Sequence, residues 1–367
     1  MKWLSNRSLI LAFALLLPGT LVFGADDMLE KAKAAVVADD LESALTLCNQ
    51  AIRDNPKNAY AFEIRAHVYG GKKEWDKAIA DCSESIRLDP MRPSAFSLRG
   101  SYFYSKKTYD KAIADCTESL RLDPKSQFAY TFRADAYKNK REFDKAIADY
   151  SEAIRLDPTD DYSLRARART FTEMRLFDKA IADSTEAIRL NPTYGNAYAM
   201  RADVFSEMLE FGKSIADYTT AIELSPKDHT LYGDRGIALK KKGEFERAIH
   251  DYNEAIRLKP DHPNAYNSLA WILATCIDDR FRDGKKALEY STKACEMTGW
   301  KVWLYLNVYA GACAENGMFD EAVKWQKKAI ELSTDTHREF KRMPEHLKLY
   351  EAHKPYREPR ETKAMKE

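Results

Sequence analysis

Prolines stand at Pro56, Pro90, Pro124, Pro158, Pro192, Pro226 and Pro260, each 34 residues beyond the last. Proline cannot continue a helix and it restricts the residue before it, so a breaker at fixed intervals imposes a repeated element. A chain of 367 residues built this way is an array of like segments rather than one compact core, which would be unusual at that length. A charged fraction of 31% with few glycines suits helices that present large solvated faces.

With each segment ending two residues after its proline, the repeats are 25–58, 59–92, 93–126, 127–160, 161–194, 195–228 and 229–262. The fourth position reads Phe62, Phe96, Tyr130, Leu164, Tyr198, Tyr232; the eighth is small, Ala66, Gly100, Ala134, Ala168, Ala202, Gly236; the eleventh is Tyr69, Phe103, Tyr137, Phe171, Phe205, Leu239. These spacings mark one face of a first helix. A turn follows, and a second helix opens on an aromatic (Trp75, Tyr109, Phe143, Phe177, Phe211, Phe245). It carries two small columns, Ala78 to Ala248 and Ser85 to Ala255, and runs to the proline. Small residues on both helices let the backbones approach closely.

Two divergent repeats follow. The first, 263–302, keeps Tyr266 and Ala270, takes an insertion at "IDDRFRDG" and resumes at Ala287 and Ala294. The second, 303–335, keeps Ala310, Phe319, Ala322 and Ala329 but has no terminal proline. Residues 336–367 are expected to form a capping helix and then fray, because a stacked array needs a polar end. At the other end, Lys2 and Arg7 precede the apolar run Leu9–Leu17, then Pro18-Gly19, with Val22 and Gly24 before a cut ahead of Ala25. Residues 1–24 read as a signal peptide, so the chain is expected to be exported, periplasmic or secreted. The alternative, an uncleaved anchor, has a run shorter than the ~20 residues that span a bilayer. The formal charge of +1, from 58 basic and 57 acidic residues, gives no footprint for nucleic acid or an anionic membrane.

The small–aromatic–small–proline pattern at a 34-residue period resembles the tetratricopeptide repeat. The divergent repeats with "KLYEAHKPYREP" also resemble the C-terminal block of exported repeat proteins of planctomycete-type bacteria. The resemblance implies an all-α, right-handed superhelical solenoid of helix–turn–helix repeats. It also implies a non-enzymatic, protein-binding scaffold whose concave groove is lined by first-helix positions two, five, nine and twelve. Those positions hold Tyr60, Glu63 and His67 in the second repeat, and Ser94, Ser97, Ser101 and Tyr104 in the third. The fourth offers Phe128, Thr131, Asp135 and Lys138, and the fifth Tyr162, Arg165, Arg169 and Thr172. Later repeats offer Asp203, Ile237, Lys240, Asn264, Asn267 and Trp271. Some family members clamp a peptide's terminal carboxylate with lysines and asparagines over three consecutive repeats. Here Ser97, Ser101, Thr131 and Asp135 stand in those places, and the clamp is not expected. "RARAR", Arg165 to Arg169, is the densest basic spot. Either Asp135 and Asp203 neutralise Arg169, or the spot takes an acidic side chain or chain terminus. A structural or glycan-interacting envelope component, with Trp271, Tyr104 and Tyr162 as stacking platforms, is the alternative function.

One column departs from the family's usual leucine at position seven: Arg65, Arg99, Arg133, Arg167, Arg201, Arg235. Position 23 is Asp81, Asp115, Asp149, Asp183, Asp217, Asp251, and both columns vanish together where Leu269/Tyr290 and Tyr309/Trp325 replace them. Antiparallel helices turning near position 15 bring positions seven and 23 together, so an Arg–Asp pair is expected in each of six repeats. Pairing to the next repeat is the other assignment. An arginine ladder for a polyanion is the rival reading, but as many aspartates would neutralise it.

Six cysteines in an exported chain invite disulfides. Cys48, Cys82 and Cys116 share one repeat position, and stacked helices lie ~8–10 Å apart, too far for a bridge. They are expected to be free buried thiols; a bridge among Cys276, Cys295 and Cys313 stays open. No CxxC, HExxH or glycine-rich phosphate loop occurs, so no metal or cofactor is expected. No nucleophile sits beside a base in a recognisable pattern, and an enzyme is not expected.

Overall fold

A computed structural model describes residues 25–333 and 338–359. The signal peptide read over 1–24 and the last residues, 360–367, lie outside it, as do the end of the ninth repeat, 334–335, and the first two residues of the capping segment, 336–337. Among the described residues there are nineteen α-helices, one short 3-10 helix and no strand beyond a single isolated bridge. The fold is a helical-repeat solenoid.

The chain divides after Leu176 into two compact blocks. The first holds α1 (Ala25–Val37), α2 (Leu41–Asp54), α3 (Ala59–Gly71), α4 (Trp75–Leu88) and α5 (Pro93–Ser105). It continues with α6 (Tyr109–Leu122), α7 (Gln127–Asn139), α8 (Phe143–Leu156) and α9 (Asp161–Glu173). The second holds α10 (Phe177–Leu190), α11 (Gly195–Glu207), α12 (Phe211–Leu224), α13 (His229–Lys242) and α14 (Phe245–Leu258). After these come α15 (Pro263–Thr275), α16 (Gly284–Met297), α17 (Trp303–Glu315), α18 (Phe319–Leu332) and α19 (Arg338–Glu351). Within each block every helix packs on the next in chain order, and first helices of successive repeats also touch, as α5 does α7 and α15 does α17.

Local chemistry sets these boundaries. Asn58, Ser126, Asp160 and Asp228 cap first helices by accepting from backbone N–H groups two or three residues on. Pro93 and Pro263 open α5 and α15, where the first N–H has no helical partner. The turn between the helices of a repeat is made by one left-handed residue at position 15. It is Asp39, Lys73, Lys107, Arg141, Arg175 and Leu209 with φ between 59° and 63°, and Gly243 at 87°. Six of the seven turns thus hold a side chain where glycine is favoured, at a cost of ~1 kcal/mol each. The backbone closes each turn the same way, with Glu74 N–H donating to Tyr69 O and Glu142 N–H to Tyr137 O, both at 2.9 Å.

The eighth position is small because position 24 fills the space opposite it. A Cβ on Gly100 would stand 2.7 Å from Cys116 Sγ, and one on Gly236 would stand 2.7 Å from the Tyr252 ring. Cys48, Cys82 and Cys116 occupy this inner column with Tyr150, Tyr218 and Tyr252, all buried. In the eighth repeat the insertion forms the 3-10 turn Asp279–Phe281, and Phe281 packs on Phe245 at 5.7 Å.

The six cysteines are free and buried, those of the divergent repeats included. Burial pushes the Cys48 and Cys295 thiols up to about 12 and Cys313 up to about 11. A thiol-reactive chromophore should therefore label the native chain slowly at neutral pH and titrate all six cysteines only in denaturant. Fast labelling of Cys82 or Cys116 in the native state would contradict this packing.

Candidate interaction surfaces on the first helices

The arginine column is built as a three-way tie. Arg65 donates from Nε and Nη2 to the two Asp81 oxygens, both at 2.7 Å, across the pair α3/α4. Arg99–Asp115, Arg133–Asp149, Arg201–Asp217 and Arg235–Asp251 repeat the fork at 2.7–2.9 Å. The partner is thus the repeat's own second helix. Arg167 and Asp183 lie on α9 and α10, one in each block.

The remaining Nη1 reaches backwards to position 25 of the preceding repeat: Asn49, Ser83, Thr117, Ser151, Thr185 or Thr219, at 2.8–3.1 Å. The outer side of the guanidinium is covered by the aromatics of positions four and eleven, as with Arg65 over Phe62 at 5.4 Å and Tyr69 at 5.9 Å. These arginines are consumed by structure and offer a polyanion nothing. In the ninth repeat Tyr309 and Trp325 stack edge to face at 5.7 Å in place of the ion pair.

The groove positions of the first block divide into committed and exposed residues. Glu63 is 1% exposed and accepts from Arg92 Nε at 2.5 Å and Ser94 Oγ at 3.0 Å. Arg92 also lies over the Tyr60 ring at 4.9 Å. Ser101 is buried and donates to Leu98 O. Asp135 is 3% exposed and receives hydroxyls from Tyr150 at 2.5 Å and Tyr162 at 2.9 Å. In the second to fourth repeats, positions five and nine therefore face the neighbouring helices more than open solvent.

The pairing of Arg169 with Asp135 is not seen, because the two tyrosines take the carboxylate first; Arg169 is exposed. Arg165 donates within its own helix to Asp161 at 3.1 Å. Lys138, beside Arg169, has Glu173 at 3.8 Å, and burial holds its ammonium below the usual range. Tyr104 packs edge-on to Phe132 at 6.0 Å and receives Asn139 Nδ2 at 3.3 Å. Burial lowers His67 to about 4, so its imidazole is neutral at physiological pH.

In the second block Asp203 accepts from Tyr218 across α11/α12. Lys240, Asn267 and Trp271 are brought together on the α13–α15 face, but they are covered by the chain's own C-terminus. The capping helix is α19, and residues 352–359 do not fray: Glu358 N–H donates to Thr275 O at 2.9 Å. The Glu358 carboxylate accepts from Trp271 Nε1 at 2.7 Å and Lys240 Nζ at 3.2 Å. Trp271 therefore presents no open stacking platform, and Tyr162 has its hydroxyl on Asp135, so nothing here favours the glycan reading. Arg92, the position-25 acceptors and Glu358 were missed in the sequence. Only the position-25 column carried a signal there, since Ser or Thr recurs in five of its seven places.

Among the described residues no group of histidine, cysteine or acidic side chains is placed to hold a metal ion, and no helix is long and apolar enough to cross a membrane.

Models of the tetratricopeptide repeat match residues 29–93, 64–127, 128–160 and 305–336, and a TPR repeat model matches 236–274. A tetratricopeptide repeat protein from Parabacteroides merdae shares the fold at 20% identity, covering 64% of this chain and 93% of its own, with a TM-score of 0.51. MamA is 22% identical over 46% of this chain and 92% of its own, TM-score 0.42. YrrB, described as a TPR protein with an unusual peptide-binding site, is 18% identical over 53% and 97%, TM-score 0.43. A comparison with curated proteins finds no match.

Removing one arm of a tie strands the other. Asp149→Ala leaves the Arg133 fork without its carboxylate and should cost ~3–5 kcal/mol, read as a lower melting temperature. Arg133→Leu in the same chain should recover part of that loss; an additive double mutant would contradict the tie.

The Asp135 carboxyl is pushed up to about 6, first by burial, against the two tyrosine hydroxyls that pull it down. A carboxyl whose pKa is raised on folding stabilises most below its unfolded value, ~3.9, and that contribution is lost as pH rises through 6. Asp135→Asn should therefore flatten the fall in stability between pH 4 and pH 7, by on the order of 3 kcal/mol. Identical pH slopes for wild type and variant would refute it.

Proposed function

The chain is a tetratricopeptide repeat protein, and from that premise we propose that it is a non-enzymatic scaffold, working outside the cytoplasm, which holds an extended segment or partner surface along the face of its first helices. The observation that carries this reading is the state of that face in the first block. Glu63 and Asp135 are already bound by Arg92 and by two tyrosines. Lys138 and the exposed Arg169, on neighbouring first helices, have one acid at 3.8 Å from the lysine. The face is therefore locally basic, and it is backed by helix pairs tied through their Arg–Asp forks. Such a surface suits an acidic side chain or chain terminus of an extended partner segment. Export rests on the leader pattern in residues 1–24 and is part of the proposal.

The test is affinity capture from a cell-envelope extract with the chain lacking residues 1–24, and with the same chain carrying Arg169→Glu. The charge reversal should reduce retention of the captured partner by roughly tenfold without lowering the melting temperature. Retention that is equal for both chains would remove the basic spot from the reading.

A further inference from the structure

The C-terminal strap is bound as a ligand is bound. After α19 the chain turns at His353, whose ring stacks on Phe319 at 5.1 Å, and then continues without helical structure through Tyr356 and Arg357 to Glu358, which forms an isolated parallel bridge with Cys276. Tyr356 lies 5.9 Å from the Trp271 ring and 4.0 Å from His346. Arg357 meets Glu315 at 2.6 Å, and Glu358 takes the backbone bond to Thr275 together with Lys240 and Trp271. Ile237, Lys240, Asn267 and Trp271 here stand at first-helix positions five, nine and twelve, the positions the family resemblance assigns to the groove.

The strap does not fill this part of the groove. A cavity of about 260 Å³ remains beneath it, lined by Asn267, Trp271, His346, Tyr356 and Glu358 among others. Two of its walls carry polar atoms with no partner among the described residues, Asn267 Oδ1 and His346 Nε2, on side chains 7% and 3% exposed. A buried acceptor without a donor is costly, so an occupant that reached these atoms would be favoured over the present one. The strap is held by one backbone hydrogen bond, the Trp271 N–H on Glu358, Arg357 Nη1 on Ala274 O, two partly exposed ion pairs and the Tyr356 and His353 ring contacts, all of them near the surface of the block. Its advantage is that it is tethered, which raises its effective concentration to the order of millimolar.

We propose that this is a recognition site for an extended peptide segment with an aromatic residue two positions before a glutamate, and that residues 354–359 occupy it in cis until a partner segment of that pattern displaces them. The aromatic ring goes against Trp271 and His346, the intervening residue toward Glu315, and the glutamate onto Lys240 and the Trp271 N–H. This rests on the scaffold reading and adds to it a second site, with a stated sequence preference and a built-in competitor.

The probe is a labelled synthetic peptide of residues 352–360, AHKPYREPR, added to the full chain and to the full chain carrying Glu358→Lys. The variant loses both carboxylate contacts and places an ammonium beside Lys240, so it should bind the peptide at least roughly tenfold tighter than wild type does. A peptide with lysine in place of its glutamate should not bind, and Lys240→Glu added to Glu358→Lys should abolish binding. A folded Glu358→Lys chain that ignores the peptide would overturn the proposal and make the strap a fixed cap. Hydrogen exchange on the wild-type chain decides the matter if the variant does not fold. The Glu358 amide should exchange by local opening before the amides of α15, and exchange only together with α15 would also overturn it. Capture through Arg169 in the first block is unaffected by either outcome, so this site can fail while the scaffold reading stands.

Discussion

The guanidinium of position seven is the interaction on which the array depends. Its Nε and Nη2 hold the repeat's own second helix, its Nη1 holds the preceding repeat, and its flat face is covered by two aromatics. Lysine could not do this, because a point charge on a flexible stem has no fixed fork to set two distances and one angle together. The aspartates are buried and the arginines partly exposed, with side-chain exposures of 11% for Asp115 and 21% for Arg99. Desolvation is therefore incomplete, and the tie's main contribution is geometric: it fixes how far each second helix slides along its first. The last two repeats manage with apolar pairs, Leu269 with Tyr290 and Tyr309 with Trp325, where α19 and the aromatic cluster around Trp300 supply other contacts.

The same economy of space explains the functional face. First helices of neighbouring repeats pack closely enough that positions five and nine turn toward each other. Acids such as Glu63 and Asp135 become internal partners rather than ligand contacts. What is left to solvent is what the neighbours could not use, which in the first block includes Arg169. In the second block the chain's own end has taken up Lys240 and Trp271.

The repeat, its boundaries and the Arg–Asp columns were legible because each is a periodic pattern, and periodicity survives translation into structure unchanged. Position 25 was legible in principle, since Ser83, Thr117, Ser151, Thr185 and Thr219 recur, but hydroxyls on a helix surface carry no signal of their own. The commitments of Glu63 to Arg92 and of Asp135 to Tyr162 were not legible. They depend on the rotation of one first helix against the next, which a single repeat's pattern does not encode. Glu358 lies 118 residues from Lys240 in a non-repeating segment, and no local rule links them.

The backward reach of each arginine gives the stack a direction. Until two repeats meet, water serves the acceptor Thr117 Oγ1 and the arginine Nη1 alike, so the tie is made only at the interface between them. Every interface takes its donor from the later repeat and its acceptor from the earlier one, so the two ends of a run of such repeats are chemically unlike.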